Sequence, residues 1–369
     1  MATSWARTRS LDRIRHLCAG ALEDHELRRA ALDELAKVVP FSAFVWPLAD
    51  PESATGLSPM ARIPCPEELP ALIRLKYLTR YGRWTALAGP PCLAVSLLAA
   101  TEGTPACSPL WDGMLRRYGV TDILSTVFAD KHGCWGWLDL WRGGDEGVFT
   151  DEETAHLALA APVLATGLRR SRAAQWRRDA AQPGRGPLPQ QAVLTLDETM
   201  TVTGQTASAG EWVALLQPGP APYQAVPAEV FNVAAQLAAL EAGVDGHEAM
   251  SRVPIGSGDW ALLRATRMER STPEPGRTVS ADPLAVTIQE CPAADRLEVF
   301  ARCFALTRQQ HRLLGLTAGG LSTAELAAAL QISPYTVQDL FKSIFAACGV
   351  RSRGALLAMA LGTSPRLPG

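Results

Sequence analysis

The sequence predicts a multidomain protein in which two α+β units precede an all-α four-helix unit. Three observations carry this. The 369 residues, 47% apolar and 20% charged, suffice for two or three domains that each bury a core of their own. Runs rich in β-branched and aromatic residues alternate with amphipathic stretches on both sides of a Pro/Gly-rich segment at 182–191. From residue 306 onward that mixture gives way to helix-start signals and helical periodicity alone.

In chain order, residues 11–39 read as helical, with Leu27, Ala31, Leu35 and Val38 on one face and Pro40 closing the segment. Residues 41–48 read as a short strand and 50–66 as a loop rich in Pro, Ser and Gly. A second helix carries Leu69, Leu72, Ile73, Lys76 and Tyr77 up to the breaker Gly82. Ser108-Pro109 starts a third, with Trp111, Met114, Leu115 and Tyr118 as its buried face and Gly119 as its end. Residues 121–129 and 134–141 form a hairpin about Asp130 to Gly133. Thr150 and Glu153 have capping-box spacing and open a long exit helix that Pro162 is expected to kink or interrupt. Its basic run, Arg169, Arg170, Arg172, Arg177 and Arg178, reads as a solvated face, with a dimerising helix as the functional alternative.

Beyond the 182–191 linker, two short strands flank a turn at Asp197-Glu198, a helical stretch covers 227–243, and 252–256, 259–268 and 283–290 read as strands. Pro-rich loops are expected at 217–227 and 271–283, and a helix over 292–305 joins this part to the C-terminal unit. No internal repeat is legible.

In the C-terminal unit, Thr307 with Gln310 and Ser322 with Glu325 have the spacing in which each side chain bonds the other residue's free N–H. Ser333-Pro334 supplies a third start, an acceptor oxygen followed by a ring whose fixed φ suits the first turn. The helix that follows places Val337, Leu340, Phe341, Ile344, Phe345 and Cys348 in one stripe, leaving Gln338, Asp339, Lys342 and Ser343 outward. Two helices joined by the short Gln331-Ile332 turn are what a helix-turn-helix needs to lay one helix in the major groove.

This stretch resembles the DNA-binding domain of LuxR-type transcriptional regulators at Leu306-Thr307, Gly320-Leu321-Ser322, Glu325-Leu326-Ala327, Leu330, Ile332-Ser333, Thr336-Val337, Ile344 and Gly349 to Arg353. The order of elements over 11–175 resembles a GAF domain, and residues 182–291 resemble a PAS-type fold. The implied organisation is a GAF-like sensor at 1–181, a PAS-like domain at 182–291, a linker helix at 292–305 and a LuxR-type domain at 306–369. The resemblance implies base contacts from Gln338, Asp339 and Lys342, phosphate contacts from Thr336, Arg351 and Arg353, and a DNA-facing surface that includes Ser333 and Val337. This face is less basic than is usual for the family, with Gln338, Asp339 and Leu340 where Lys or Asn-His is common and Ala346-Ala347 where basic residues are frequent.

Charge and composition narrow the function further. The net charge of −2 divides unevenly: 306–369 holds six Arg/Lys against Glu325 and Asp339, so the acidic excess lies before it. Eight scattered cysteines form no C-x-x-C pair, six histidines lie far from one another, and no glycine-rich phosphate loop is present. Reduced thiols, no metal, no cofactor and no enzymatic activity are expected, with Cys92 and Cys134 as weak candidates for a redox role. No apolar run is long enough for a bilayer, so a cytoplasmic protein with no membrane partner is expected. The expected function is a one-component regulator that binds double-stranded DNA as a homodimer and answers to a small-molecule effector, with a ligand pocket at Trp46, Trp84 and Trp111. The alternative is a ligand-binding adaptor whose helix-turn-helix contacts protein.

Overall fold

A computed structural model describes residues 3–20, 22–89, 93–182, 186–218, 225–269 and 282–362. Cys92, Arg366, residues 183–185 of the expected linker and much of the expected loops at 217–227 and 271–283 lie outside these ranges. The architecture is mixed, with two five-stranded antiparallel sheets and a C-terminal helical region.

The chain opens with α1 (Ser4–Ala19) and α2 (Asp24–Leu35), where one helical segment was expected; an extended residue at Gly20 separates them. Leu27, Ala31 and Leu35 on α2, and Val38 beyond it, are buried as their periodicity requires. Strand β1 (Ala43–Ala49) pairs antiparallel with β2 (Gly56–Arg62), which corrects the reading of 50–66 as a loop. β2 is an edge strand, and an edge tolerates the Pro59 and Gly56 that disguise it in the sequence. Next come α3 (Leu69–Leu78), α4 (Trp84–Leu87), β3 (Ala94–Ser96), α5 (Leu97–Ala100) and α6 (Pro109–Gly113). Ser108 caps α6, but the helix is short and passes into a 3-10 turn, Leu115–Tyr118, that leaves Tyr118 exposed rather than buried.

The expected hairpin is β4 (Val120–Asp130) with β5 (Gly133–Gly143). Thr150 and Glu153 then form their capping box on α7 (Asp151–Asp179), which runs 29 residues without interruption at Pro162. Pro162 is on the exposed side, where water can satisfy the carbonyl its missing N–H leaves unpaired.

The second sheet contains β6 (Ala192–Leu196) and β7 (Val202–Gln205), followed by α8 (Ala209–Leu216), which was not expected, and α9 (Ala228–Glu241). It is completed by β8 (Met250–Gly256), β9 (Asp259–Arg267) and β10 (Leu284–Glu290). Spatial order is β2-β1-β5-β4-β3 in the first sheet and β7-β6-β10-β9-β8 in the second. Numbered within each unit, both orders are 2-1-5-4-3, so a topology recurs that the sequence shows no repeat for. The C-terminal region is α10 (Ala293–Cys303), α11 (Arg308–Ala318), α12 (Thr323–Leu330), α13 (Pro334–Cys348) and α14 (Arg353–Leu361).

Strand alternation divides the first sheet into two faces. Trp46, Phe128, Leu138 and Leu140 are buried toward the face that packs on α7. Val45, Pro47, Trp137, Asp139 and Trp141 occupy the other, beneath α3.

The two sheets are joined through buried polar contacts. Asp50, fully buried, accepts from Arg252 Nε at 2.7 Å, Nη2 at 2.7 Å and backbone N at 3.0 Å, and also from the Glu52 and Ser53 amides. Arg83 reaches Asp245 at 2.6 Å and Gln236 at 2.9 Å, and Ser53 Oγ donates to the Met250 carbonyl at 2.7 Å. At the closest approach Gly56 has no room for a side chain: a Cβ there would stand 2.6 Å from the Trp137 ring and 3.1 Å from the Asn232 amide.

Burial alone would raise the Asp50 carboxyl, but the Arg252 guanidinium more than offsets this and holds it below the ordinary carboxylate value. Asp50→Asn removes the buried counter-charge of Arg252 and leaves it the half-exposed Glu52 at 2.9 Å, so a loss of about 3 kcal/mol, the lower end for breaking a buried pair, is expected in denaturant unfolding. Because the folded pKa is depressed, this stabilisation is complete above the unfolded value of about 3.9 and is lost as pH falls through the folded one. The difference in unfolding temperature between wild type and Asp50→Asn should therefore shrink below about pH 4 and stay constant above it.

Candidate nucleic-acid interface and interdomain cavity

The three helix starts in the C-terminal region form by the chemistry their spacing requires. Thr307 and Gln310 bond each other's backbone N–H on α11, and Ser322 and Glu325 do so on α12. Gln331 takes the left-handed conformation that ends α12, and Ser333 caps α13 by accepting from the Thr336 amide at 3.1 Å. Leu313, Leu314, Leu326, Val337, Phe341, Ile344, Cys348 and Leu356 are buried together beneath this frame. Gly349 ends α13 at φ 76°, a conformation an L side chain resists.

Gln338, Asp339 and Lys342 are all exposed on α13. Val337 is fully buried, so this expected DNA-facing residue belongs to the core instead. The sequence reading missed Tyr335, 70% exposed, whose ring lies 5.9 Å from Lys342 Nζ. The one-helical-face spacing of Tyr335, Asp339 and Lys342 was the signal for it.

Lys342 is paired with Asp339 at 3.0 Å, both well exposed, an interaction worth roughly 0–1 kcal/mol and easily exchanged for a phosphate. Arg351 is exposed. Arg353 instead donates to Thr323 Oγ1 at 2.9 Å and stacks 4.1 Å from the Phe341 ring centre, so it braces α12 and α13. The exposed charge of the face is small.

This head is docked on the body. Arg177 of α7 donates to the Cys348 and Ala347 carbonyls, each at 3.0 Å, capping the C-terminal end of α13 where the helix dipole favours a cation. α10 is a packed strut and not a free linker: Leu297, Val299, Phe300 and Cys303 are buried, and Arg302 donates to the His132 carbonyl in the β4–β5 turn at 3.1 Å. The basic run on α7 is correspondingly engaged. Arg169 pairs with Asp130 at 2.8 Å, Arg178 with Glu23 at 3.3 Å, and Arg172 is buried near the Trp260 ring, which corrects the solvated-face reading for these residues, while Arg170 is exposed as that reading expects.

A cavity of about 850 Å³ lies between the inner face of the first sheet, α3, and the start of α9 in the second unit. None of Trp46, Trp84 and Trp111 lines it. Trp46 faces Phe128 on the other side of the sheet, Trp84 is covered by stacking 3.9 Å from Trp137, and Trp111 donates to the Val120 carbonyl. The aromatic lining comes from Tyr77, Trp137 and Trp141.

Its polar lining is paired almost throughout. Lys76 Nζ contacts Asp139 at 2.8 Å, and Asp139 also accepts from Ser125 at 2.7 Å. Ser58 sits at φ 46°, costly for a residue with a side chain, with its carbonyl held by Arg28 at 2.8 Å and its amide by Glu229 at 2.7 Å. Burial raises the Glu229 carboxyl and lowers Arg28.

No group of three or more His, Cys, Asp or Glu among the described residues is placed to hold a metal. Burial pushes the Cys134 thiol up to about 12, which leaves it without thiolate character at neutral pH. No single helix among the described residues is long and apolar enough to cross a membrane. Neither a protein-family model nor a curated protein matches the chain.

Arg177→Ala should free the end of α13. Amide hydrogen exchange across 345–350 is expected to accelerate with helix content unchanged by circular dichroism, since the substitution removes the clasp on two carbonyls and a contact with the Phe304 ring but no backbone hydrogen bond.

Proposed function

We propose that this protein is a one-component DNA-binding transcriptional regulator, with a GAF-like and a PAS-like unit as its sensor and the LuxR-type helices α11 to α14 as its reading head. The observation that carries the reading is α13, a capped helix buried along one side with Tyr335, Gln338, Asp339 and Lys342 exposed on the other. Gln can pair bidentately with adenine, Asp can accept from cytosine N4, and Lys can reach guanine or phosphate. The recurrent 2-1-5-4-3 sheets, with helices inserted after the second strand of each, support the sensor reading. Function is proposed for a homodimer on a roughly palindromic site, because one weakly basic face binds too few phosphates to hold alone. An effector in the cavity shifts α7 against α10 and so resets the spacing of two α13 helices, by binding one arrangement better than the other.

A second reading has its own observation. The Asp339–Lys342 pair and the internal use of Arg353 favour an adaptor whose helix-turn-helix contacts protein.

Fluorescence anisotropy with a duplex from the region upstream of the protein's own coding sequence separates the two. Lys342→Ala is expected to weaken binding and lower the slope of log K against log salt by about one, as for one phosphate contact. Asp339→Ala, which releases Lys342, is expected to steepen the slope and relax sequence preference. Absence of sequence-specific binding by wild type even at low salt would establish the adaptor reading instead.

A further inference from the structure

We propose that the cavity between the two sheet units binds a hydrophobic amine in its protonated form, the ammonium held by Glu229 and Asn232 and the apolar body lying against Tyr77 and Trp137. Charge matching around the wall points to a cation. Lys76 is neutralised by Asp139, and Arg28 is spent on the Trp46 and Ser58 carbonyls and on Asp24 at 3.7 Å. His25 and Arg62 are exposed, Arg62 being drawn over the Phe41 and Phe44 rings. What remains is Glu229, 5% exposed, whose carboxyl is held by the backbone N–H groups of Ser58 and of Glu229 itself, with no cationic side chain of the described residues paired to it. A buried carboxylate left without a counter-charge is costly, and a cationic ligand supplies the missing partner.

The neighbouring group agrees. Asn232 is one turn further along α9, 4% exposed, and its Nδ2 is committed to the Gly56 carbonyl at 3.0 Å. Glu229 and Asn232 are three apart on one face of α9 and both line the cavity, so the site offers acceptor oxygens and calls for a multiple donor; an ammonium has three N–H groups and accepts nothing. An anion would meet Glu229 as a like charge. The aromatic wall adds cation–π attraction, and Trp137 is held rigid for this by its stack on Trp84, itself pinned 4.0 Å beneath Arg83. A volume of about 850 Å³, with Leu69, Leu72 and Ile73 on the opposite wall, leaves room for an apolar body of drug-like size. Because Glu229 and Asn232 belong to the second unit and the aromatic wall to the first, the amine bridges both.

That such an amine is an input signal rests on the sensor reading above. Binding itself is measured without DNA, so failure of either claim leaves the other standing. The test titrates the intact protein with primary amines from tyramine to dansylcadaverine, and with N-acetyl-dansylcadaverine, which keeps the apolar body and loses the charge. At least one amine is expected to bind wild type, with affinity reduced at least tenfold by N-acetylation and at least tenfold by Glu229→Gln. Gln still accepts the Ser58 amide, so the fold is kept. Ile73→Trp, a partly exposed wall position, is expected to abolish binding by filling the cavity. The proposal is overturned if no amine binds, if the acetylated and free forms bind equally, or if binding survives unchanged in Glu229→Gln or Ile73→Trp.

Discussion

A carboxylate and a guanidinium from different sheets, Asp50 and Arg252, face each other with almost no exposure to water, and the rest of the molecule is arranged around that fact. Removing Arg252 strands Asp50 in a medium where an isolated charge is far more costly than in water, and removing Asp50 leaves Arg252 with the half-exposed Glu52 alone. The two sheet units are therefore held in one register, and Arg83 with Asp245 fixes a second point of it. Only with that register set can Glu229 of the second unit close a cavity whose other walls belong to the first.

The same loop carries the constraint toward the C-terminal helices. Glu52, two residues beyond Asp50, contacts Arg252 at 2.9 Å and Arg302 of α10 at 3.6 Å. Arg302 also reaches the β4–β5 turn, and α10 packs against α11 and α14. On the other side α7 ends in the Arg177 clasp on α13. The cavity and α13 are thus connected by packed helices and ion pairs, with only Phe304 to Thr307 between α10 and α11. Such contiguity provides a route for coupling; coupling itself requires two arrangements with different ligand affinities.

Local chemistry was the most legible part of the sequence. Capping boxes at Thr307, Ser322 and Thr150 involve residues three apart, and the β4–β5 hairpin needs one turn between two β-rich runs, so neighbours suffice to specify them. Features that depend on distant chain were not legible. Asp50 and Arg252 are 202 residues apart, and Glu229 is an unremarkable acid at a helix start until Ser58 and the cavity are placed beside it. β2 was hidden by the Pro and Gly that an edge strand tolerates. The tryptophans show the difference most clearly: aromatic content suggested a pocket, but which rings line it depends on sheet face and stacking. Trp137 faces the cavity while Trp46, on the adjacent strand with opposite alternation, does not, and Trp84 is covered by Trp137 itself. Val337 sits among the exposed residues of α13 in sequence yet is buried in the core.

The most direct test of linkage between cavity and head is the Kd of the intact protein for its upstream duplex, measured by anisotropy at fixed salt with the cavity empty and then saturated with a bound hydrophobic amine. Coupling through α7 and α10 predicts a shift of at least about fivefold, the lower end of ordinary allosteric coupling. Saturating amine with an unchanged Kd would contradict it.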